Sequence, residues 1–380
     1  MKILSNKKKS RITEFETKNG VNTTPFFMPD ATRGFIKFLG NNDILNSGIK
    51  QMVVNTYHLI LNPGVEIVKD GGGINKFMNW KYPLLSDSGG YQVFSLIHKN
   101  SKMGSITDDG AVFRSPVSGA KHNLTPERAI QIQFDLGVDM MVCLDDPPPN
   151  HHTKKQISEA VDRTIAWAKR CKNEYKRQLK KRGLSLNSSE RPLLFGVIQG
   201  GKHLDLRQKC TKGLAEIGFD GYGFGARHID EDGKFMEEVL EKTASFIPDD
   251  SIKFALGIGN PSDIVRCVKM GWDLFDCVIP TREGRHGRLF FFDESLEKKD
   301  ILSVDPSKFY FTENITLEKN KKDFSKISDN CDCELCKNHT KAYLNHLFRA
   351  KDPNGARLAA IHNLHFYAKL MERIRKSIDK

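Results

Sequence analysis

Four apolar runs in this chain stop abruptly at a carboxylate or an amide. They are Leu84-Leu85-Ser86-Asp87-Ser88-Gly89-Gly90, Met141-Val142-Cys143-Leu144-Asp145, Phe195-Gly196-Val197-Ile198-Gln199-Gly200-Gly201 and Leu274-Phe275-Asp276. A buried parallel strand reads this way when its C-terminal end opens onto an active site. A single Asp in such a place serves equally well as a helix cap or turn former. Repetition at four strand ends instead gives three aspartates and a glutamine one shared location.

The segments between these runs alternate in type. Gln51 to Asn55 reads as strand, and Thr125-Pro126-Glu127 opens a helix with an N-cap, a proline at the first position and an early acid. Gly137 closes that helix before a strand at Asp139. Helix over 153–182, strand over 193–198, helix over 203–217, strand over 222–225, helix over 233–246 and strand over 254–258 follow. Asn260-Pro261-Ser262-Asp263 starts another helix, ended by Gly271 before the strand 272–275. So many βα units suit an α/β fold of the closed (β/α)8 TIM-barrel type, and no glycine-rich dinucleotide fingerprint follows the first strand.

A length of 380 residues, 39% hydrophobic, fits one large domain with an appendage. No stretch approaches the roughly 20 apolar residues of a membrane helix, and the first residues lack the apolar core of a secretory signal. The expectation is a cytoplasmic protein with no membrane partner. Its net charge of +12 is clustered at Lys7 to Arg11, along Lys169 to Arg182, at Arg282, Arg285 and Arg288, and at Lys369 to Lys376. A polyanion such as RNA pairs with a surface of this kind through counterion release. The stretch around residue 175 reads first as a solvated helix face, whereas the arginines behind Asp276 follow a strand end that already carries a candidate catalytic group.

After about Phe292 the rhythm gives way to a polar, lysine-rich stretch and then Cys331-Asp332-Cys333-Glu334-Leu335-Cys336. Three thiols this close, with a histidine, supply the four ligands of a closed tetrahedral zinc site, which is structural because no position is left for water. His362 is the histidine favoured, with His339, His346 and His365 also available. The remaining cysteines are scattered singly in apolar contexts, so disulfides are not indicated. The expected organisation is a barrel core over 1–292, N-terminal extension included, a zinc-binding subdomain over 293–365, and a C-terminal helix over 366–380 packing back on the barrel.

Asn55-Thr56-Tyr57-His58-Leu59, Asp87-Ser88-Gly89-Gly90-Tyr91-Gln92-Val93-Phe94-Ser95, Val197-Ile198-Gln199-Gly200-Gly201, Phe275-Asp276-Cys277-Val278-Ile279-Pro280-Thr281-Arg282, the Cys-x-Cys-x2-Cys run and Ile361-His362-Asn363-Leu364 occur in one order. In this the chain resembles the bacterial tRNA-guanine transglycosylases, from about Phe15 to Arg375. The resemblance implies a zinc-containing TIM barrel, usually a homodimer, with one structural Zn2+ per chain. It implies exchange of guanine at the anticodon wobble position of GUN tRNAs for a 7-deazaguanine base, on the route to queuosine. By resemblance Asp276 is the nucleophile and Asp87 the general acid/base. Asp145, Gln199, Gly200, Ser88, Ala226, Arg227 and Leu256 bind the base, Tyr91 stacks on it, and Arg282 and Arg285 hold the anticodon loop. A retained configuration after two displacements at the anomeric carbon is the chemistry such paired carboxylates serve.

The chain departs from the family pattern twice. Asp145-Asp146-Pro147-Pro148-Pro149 stands where bacterial members usually read Asp-Glu-Cys-Thr-Pro, and Gly225-Ala226-Arg227-His228-Ile229-Asp230-Glu231 where they read Gly-Gly-Leu-Ala-Val-Gly-Glu. By resemblance the second loop lines the base pocket, so its change points either to a base preference shifted from the aminomethyl compound toward the nitrile precursor or queuine, or to drift with unchanged specificity. Competing readings are a non-catalytic RNA-binding partner subunit, which usually loses the aspartates retained here, and a glycoside hydrolase, which has no use for the basic clusters. Relatives acting on DNA or on other tRNA positions form a further class, and the archaeal type carries an added C-terminal RNA-binding domain that is not expected here.

Overall fold

The computed structural model describes residues 1–149, 151–296 and 299–380. Eight parallel strands form one sheet that curls into a nearly closed barrel. In chain order they are β1 (Phe26–Pro29), β2 (Met52–Asn55), β3 (Leu84–Asp87) and β4 (Met140–Val142). They continue as β5 (Leu193–Ile198), β6 (Gly221–Phe224), β7 (Ile252–Ala255) and β8 (Leu274–Cys277). β8 pairs with β1, and a bridge between Asp30 and Val53 brings β1 against β2 to complete the circuit. The TIM-barrel expectation is therefore met. β1, which the sequence reading had not assigned, is the strand that closes it.

Side chains alternate along each strand, and one parity fills the barrel interior. Phe26, Met28, Val53, Leu85, Met140, Val142, Phe195, Val197, Ile252, Phe254 and Leu274 form a single buried cluster. Phe15 joins them from Ser10–Thr17, a strand of an antiparallel sheet that crosses the barrel's N-terminal end. Its neighbours hydrogen-bond residues just ahead of four barrel strands: Arg11 with Asp273, Thr13 with Thr24, Asn19 with Asp139 and Asn22 with Gln51. β6 contributes glycines to the same face. A Cβ at Gly221 would lie 2.6 Å from the Phe195 ring, and one at Gly223 would lie 2.4 Å from Leu256. The empty column lets large neighbours share a narrow interior.

Caps set the helices. Thr125 and Asn260 accept from Arg128 and Ser262 N–H groups, starting helices Pro126–Leu136 and Pro261–Lys269 as their sequences predict. The helix placed over 233–246 starts later, at Glu237, because an antiparallel bridge between Ile229 and Phe235 takes up its first residues. A three-stranded antiparallel sheet of Gly104–Thr107, Gly110–Arg114 and Lys121–Leu124 is inserted between β3 and β4. In the charged helix Lys154–Lys181 the arginines are matched by carboxylates: Arg163 pairs with Asp146 and Arg170 with Glu127, both outside the helix, and Arg177 with Glu174 within it.

Beyond the barrel, Arg288–Phe292 and Tyr310–Asn314 form a hairpin, so the appendage begins ahead of residue 293. One helix runs from Pro353 to Ile378, and the division drawn at residue 366 falls inside it. Among the described residues no helix is long and apolar enough to cross a membrane. Phe254 is wholly buried at the centre of the barrel. Phe254→Ala is expected to cost about 3–5 kcal/mol, read as a lower denaturant midpoint. A loss below about 1 kcal/mol would show that the interior is not close-packed.

Candidate active site

The inward parity that packs the core continues upward by one residue pair per strand. Asp30, Asn55, Asp87, Gln199, Leu256 and Asp276 each lie two positions beyond a core residue: Met28, Val53, Leu85, Val197, Phe254 and Leu274. Asp145 joins them from the loop after β4. The result is a cavity of about 480 Å³ at the C-terminal end of the barrel, lined by Asp30, Asp87, Asp145, Asp276, Leu256 and Tyr91 among others. A volume in this range suits a small-molecule or nucleotide site. Gly225 again makes room, since a Cβ there would lie 2.3 Å from the Gln199 amide nitrogen.

Each carboxylate has its own surroundings. Asn55 Nδ2 donates to Asp87 Oδ2 at 2.8 Å, and the Ser88 and Gly89 N–H groups and Gln92 also reach Asp87. Burial outweighs these donors and pushes Asp87 up to about 6. Gln199 Nε2 donates to Asp145 Oδ2 at 2.6 Å, and burial lifts Asp145 to about 7. The Gly257 N–H donates to Asp276 Oδ1 at 2.8 Å. Burial, then the charges of Asp30 and Asp87 on either side of that N–H contribution, hold Asp276 well above the usual carboxylate range. An acid near 6 is matched to giving and taking a proton at neutral pH.

The backbone around the rim is specialised. Gly89 has φ +81° and starts the helix Gly90–Lys99; a Cβ there would meet the Tyr57 nitrogen at 2.6 Å, so only glycine fits. Ala226 has φ +68°, a left-handed conformation that strains a residue with a side chain by roughly 1 kcal/mol. Behind the rim, the buried Arg207 guanidinium donates to Gly201, Ile198 and Gly225 carbonyls at 2.9, 2.7 and 3.0 Å. It thereby ties the ends of β5 and β6 together.

The structure gathers most of the sequence-derived set. Asp87, Tyr91, Asp145, Ala226, Arg227, Leu256, Asp276 and Arg282 line the cavity. Gln199 is buried in its wall, and its Oε1 has no partner among the described residues. Tyr91 is 52% exposed at the edge of the cavity. Three residues stand back. Ser88 is buried, with its Oγ accepting from the Gly90 N–H; Gly200 backs onto Arg207; Arg285 lies half-buried one turn behind Arg282. Asp30 was missed, although Phe26-Phe27-Met28-Pro29-Asp30 carries the same signature of an apolar run ending in a carboxylate.

Far from the cavity, Cys331, Cys333, Cys336 and His362 place their ligand atoms within 4.8 Å of one another. The three Sγ atoms lie 3.7, 3.6 and 3.3 Å from His362 Nδ1. Ligand bonds of about 2.3 Å to sulfur and 2.0–2.1 Å to nitrogen give tetrahedral edges of roughly 3.5 Å, so the donor set fits a tetrahedral metal. His362 Nε2 faces the Phe290 carbonyl at 2.9 Å; donating there leaves Nδ1 free to bind metal. Asn363, the next residue, holds Pro280 and Arg288 carbonyls and the Phe290 N–H. His365 instead faces Asp332, and His339 stacks on Tyr343.

Four carboxylates lining one cavity at the C-terminal rim of a TIM barrel are an arrangement that glycosidic-bond chemistry uses. A family model described as Queuine tRNA-ribosyltransferase matches residues 6–380. The chain is 39% identical over 370 residues to a queuine tRNA-ribosyltransferase of Caldanaerobacter subterraneus subsp. tengcongensis, covering 97% of this chain and 90% of the relative. It is 37% identical over 372 residues to one of Halothermothrix orenii, covering 98% and 91%. The chain belongs to the queuine tRNA-ribosyltransferase family and is a pentosyltransferase.

Asp30 gives a test of the site's electrostatics. Burial and Asp87 raise it from 3.8 to about 7, so the folded state favours its neutral form. Its contribution to stability is full below the unfolded value and is lost as pH rises through about 7. Asp30→Asn is therefore expected to raise Tm by about 2 °C or more near pH 8, with the gain vanishing near pH 4. A gain of equal size at both pH values would refute this charge account.

Proposed function

We propose that this enzyme exchanges guanine at the anticodon wobble position of GUN tRNAs for a 7-deazaguanine base, the aminomethyl compound in first place, on the route to queuosine. The observation that carries this is the shared cavity of Asp87 and Asp276 in a chain of this family. Asp276 attacks the ribose C1′ as the bond from C1′ to guanine breaks, and Asp87 delivers its proton to the departing base nitrogen. The ribose is then esterified to Asp276. Asp87 takes the proton of the incoming base, whose nitrogen attacks C1′ and releases the Asp276 carboxylate. Two inversions retain configuration.

Asp145 accepts from N–H groups on the base's pyrimidine edge, which favours its ionised form. Gln199 keeps a second amide hydrogen for the base carbonyl, and Tyr91 stacks on the ring. Arg282 and Arg285 bind anticodon-loop phosphates while the base is flipped into the pocket. The enzyme acts in the cytoplasm on tRNA, as a homodimer, as the resemblance implies. A second base preference is favoured by a hollow of about 430 Å³ that shares Tyr91, Pro147, Ala226 and Arg227 with the main cavity and also includes Asp230 and Glu231. Lys99 and Arg227 offset these two acids, so what the hollow offers a larger 7-substituent such as that of queuine is room.

Labelled guanine is expected to enter an unmodified GUN tRNA with the wild type and to drop by about a thousandfold or more with Asp276→Asn. Exchange that survives in the variant would remove Asp276 from the nucleophile role, and the strongest competitor among the three deazaguanines identifies the base.

Zn2+ held by Cys331, Cys333, Cys336 and His362 would act as a structural cross-link. Cys333→Ala is expected to lose the one bound zinc per chain, measured by metal analysis, and to destabilise the appendage by several kcal/mol, on the order expected when metal binding supplies folding energy. Unchanged metal content would exclude these ligands.

A further inference from the structure

Asp30 is the one carboxylate of the cavity that the proposed reaction leaves without a task. Asp87, Asp145 and Asp276 each accept a hydrogen bond from the protein, through Asn55, Gln199 and Gly257. Asp30 accepts none among the described residues. A half-buried carboxylate beside other carboxylates, with no donor of its own, is costly to keep. Its presence in the cavity lining points to a donor supplied by the ligand.

The strand order says which part of the ligand that is. Around the barrel the sequence of strands is β8, β1, β2, β3, β4, β5, β6, β7. The groups read as holding the base, Asp145, Gln199 and the loop at Ala226, come from the ends of β4, β5 and β6. Asp276 stands at the end of β8, paired with Met28 of β1, and Asp30 lies two residues past Met28 on the same inner face. Asp30 therefore sits next to Asp276 on the arc between it and Asp87, away from the base-holding arc. With Asp276 below C1′ and the base over β4 to β6, the sugar lies over β8 to β2. The hydroxyl carried by the carbon next to C1′ then faces Asp30.

We propose that Asp30 accepts a hydrogen bond from the 2′-hydroxyl of the target ribose and makes the site select RNA over DNA at that nucleotide. This rests on the transglycosylase reading above. A ribose hydroxyl is what distinguishes RNA from DNA at a given site, and a carboxylate left facing a hydrogen in its place loses that bond without compensation.

The test measures guanine exchange on an anticodon stem-loop carrying either guanosine or 2′-deoxyguanosine at the wobble position, with wild type, Asp30→Asn and Asp30→Ala. Wild-type kcat/KM is expected to fall by roughly tenfold to a hundredfold on the deoxy substrate. Asp30→Ala is expected to bring the ratio of ribo to deoxy kcat/KM close to one, whatever it does to both through Asp276, with Asp30→Asn in between. Binding of free guanine, measured by calorimetry, is expected to be unaltered in both variants. An unchanged ratio or loss of guanine binding would each overturn the assignment. A wild type that exchanges nothing on the ribo substrate would instead refute the transglycosylase reading, and this one with it.

Discussion

Alternation of side chains across a closed parallel sheet governs this molecule. Once eight strands close, every inward residue must either fill the interior or line its mouth, with no third place to go. Met28, Leu85, Phe254 and Leu274 fill the interior, and Asp30, Asp87, Leu256 and Asp276, two steps further along the same strands, line the mouth. The apolar floor is thus continuous with the polar site, and that floor keeps the carboxylates out of bulk water. Their raised proton affinity follows from burial before it follows from one another.

The distant cysteine cluster is joined to this site through one helix. Pro353–Ile378 carries His362 at the cluster and Asn363 against the Pro280 carbonyl, and its Ala360 packs where Gly284 leaves no room for a Cβ. Further along, Tyr367 Oη donates to the Gly259 carbonyl at 2.5 Å, in the loop whose Gly257 N–H reaches Asp276. The helix Ile279–Arg285, which bears Arg282 and Arg285, therefore rests on the element that a metal would lock in place. A structural metal at that end bears on the placing of basic groups beside Asp276 without touching the chemistry.

Much of this was legible in the chain. The runs ending at Asp87, Asp145, Gln199 and Asp276 mark strand ends because a buried strand has no other reason to stop at a polar group. β1 escaped because Phe26–Pro29 is short, is followed by no helix-like stretch of clear period, and contains a proline that argues against a central strand. Asp30 escaped with it. The insertion at Gly104–Leu124 breaks the βα cadence with antiparallel pairing, which a period-2 pattern in so few residues does not announce. The basic helix misleads in another way: its arginines count toward net charge, yet Arg163, Arg170 and Arg177 are matched by carboxylates brought from elsewhere or one turn away.

The sequence by itself determined the barrel cadence, the aspartates at the strand ends and the three cysteines with a histidine to complete them, because these depend on local order and residue type. Only the tertiary structure decided which histidine meets the cysteines, that Gly221, Gly223 and Gly225 yield space to neighbouring strands, and that a fourth carboxylate stands between Asp276 and Asp87. Those outcomes depend on strand register and barrel closure, which bring together residues separated by up to about 246 positions, from Asp30 to Asp276. Proximity of that kind is a property of the closed sheet, and no local stretch of chain encodes it.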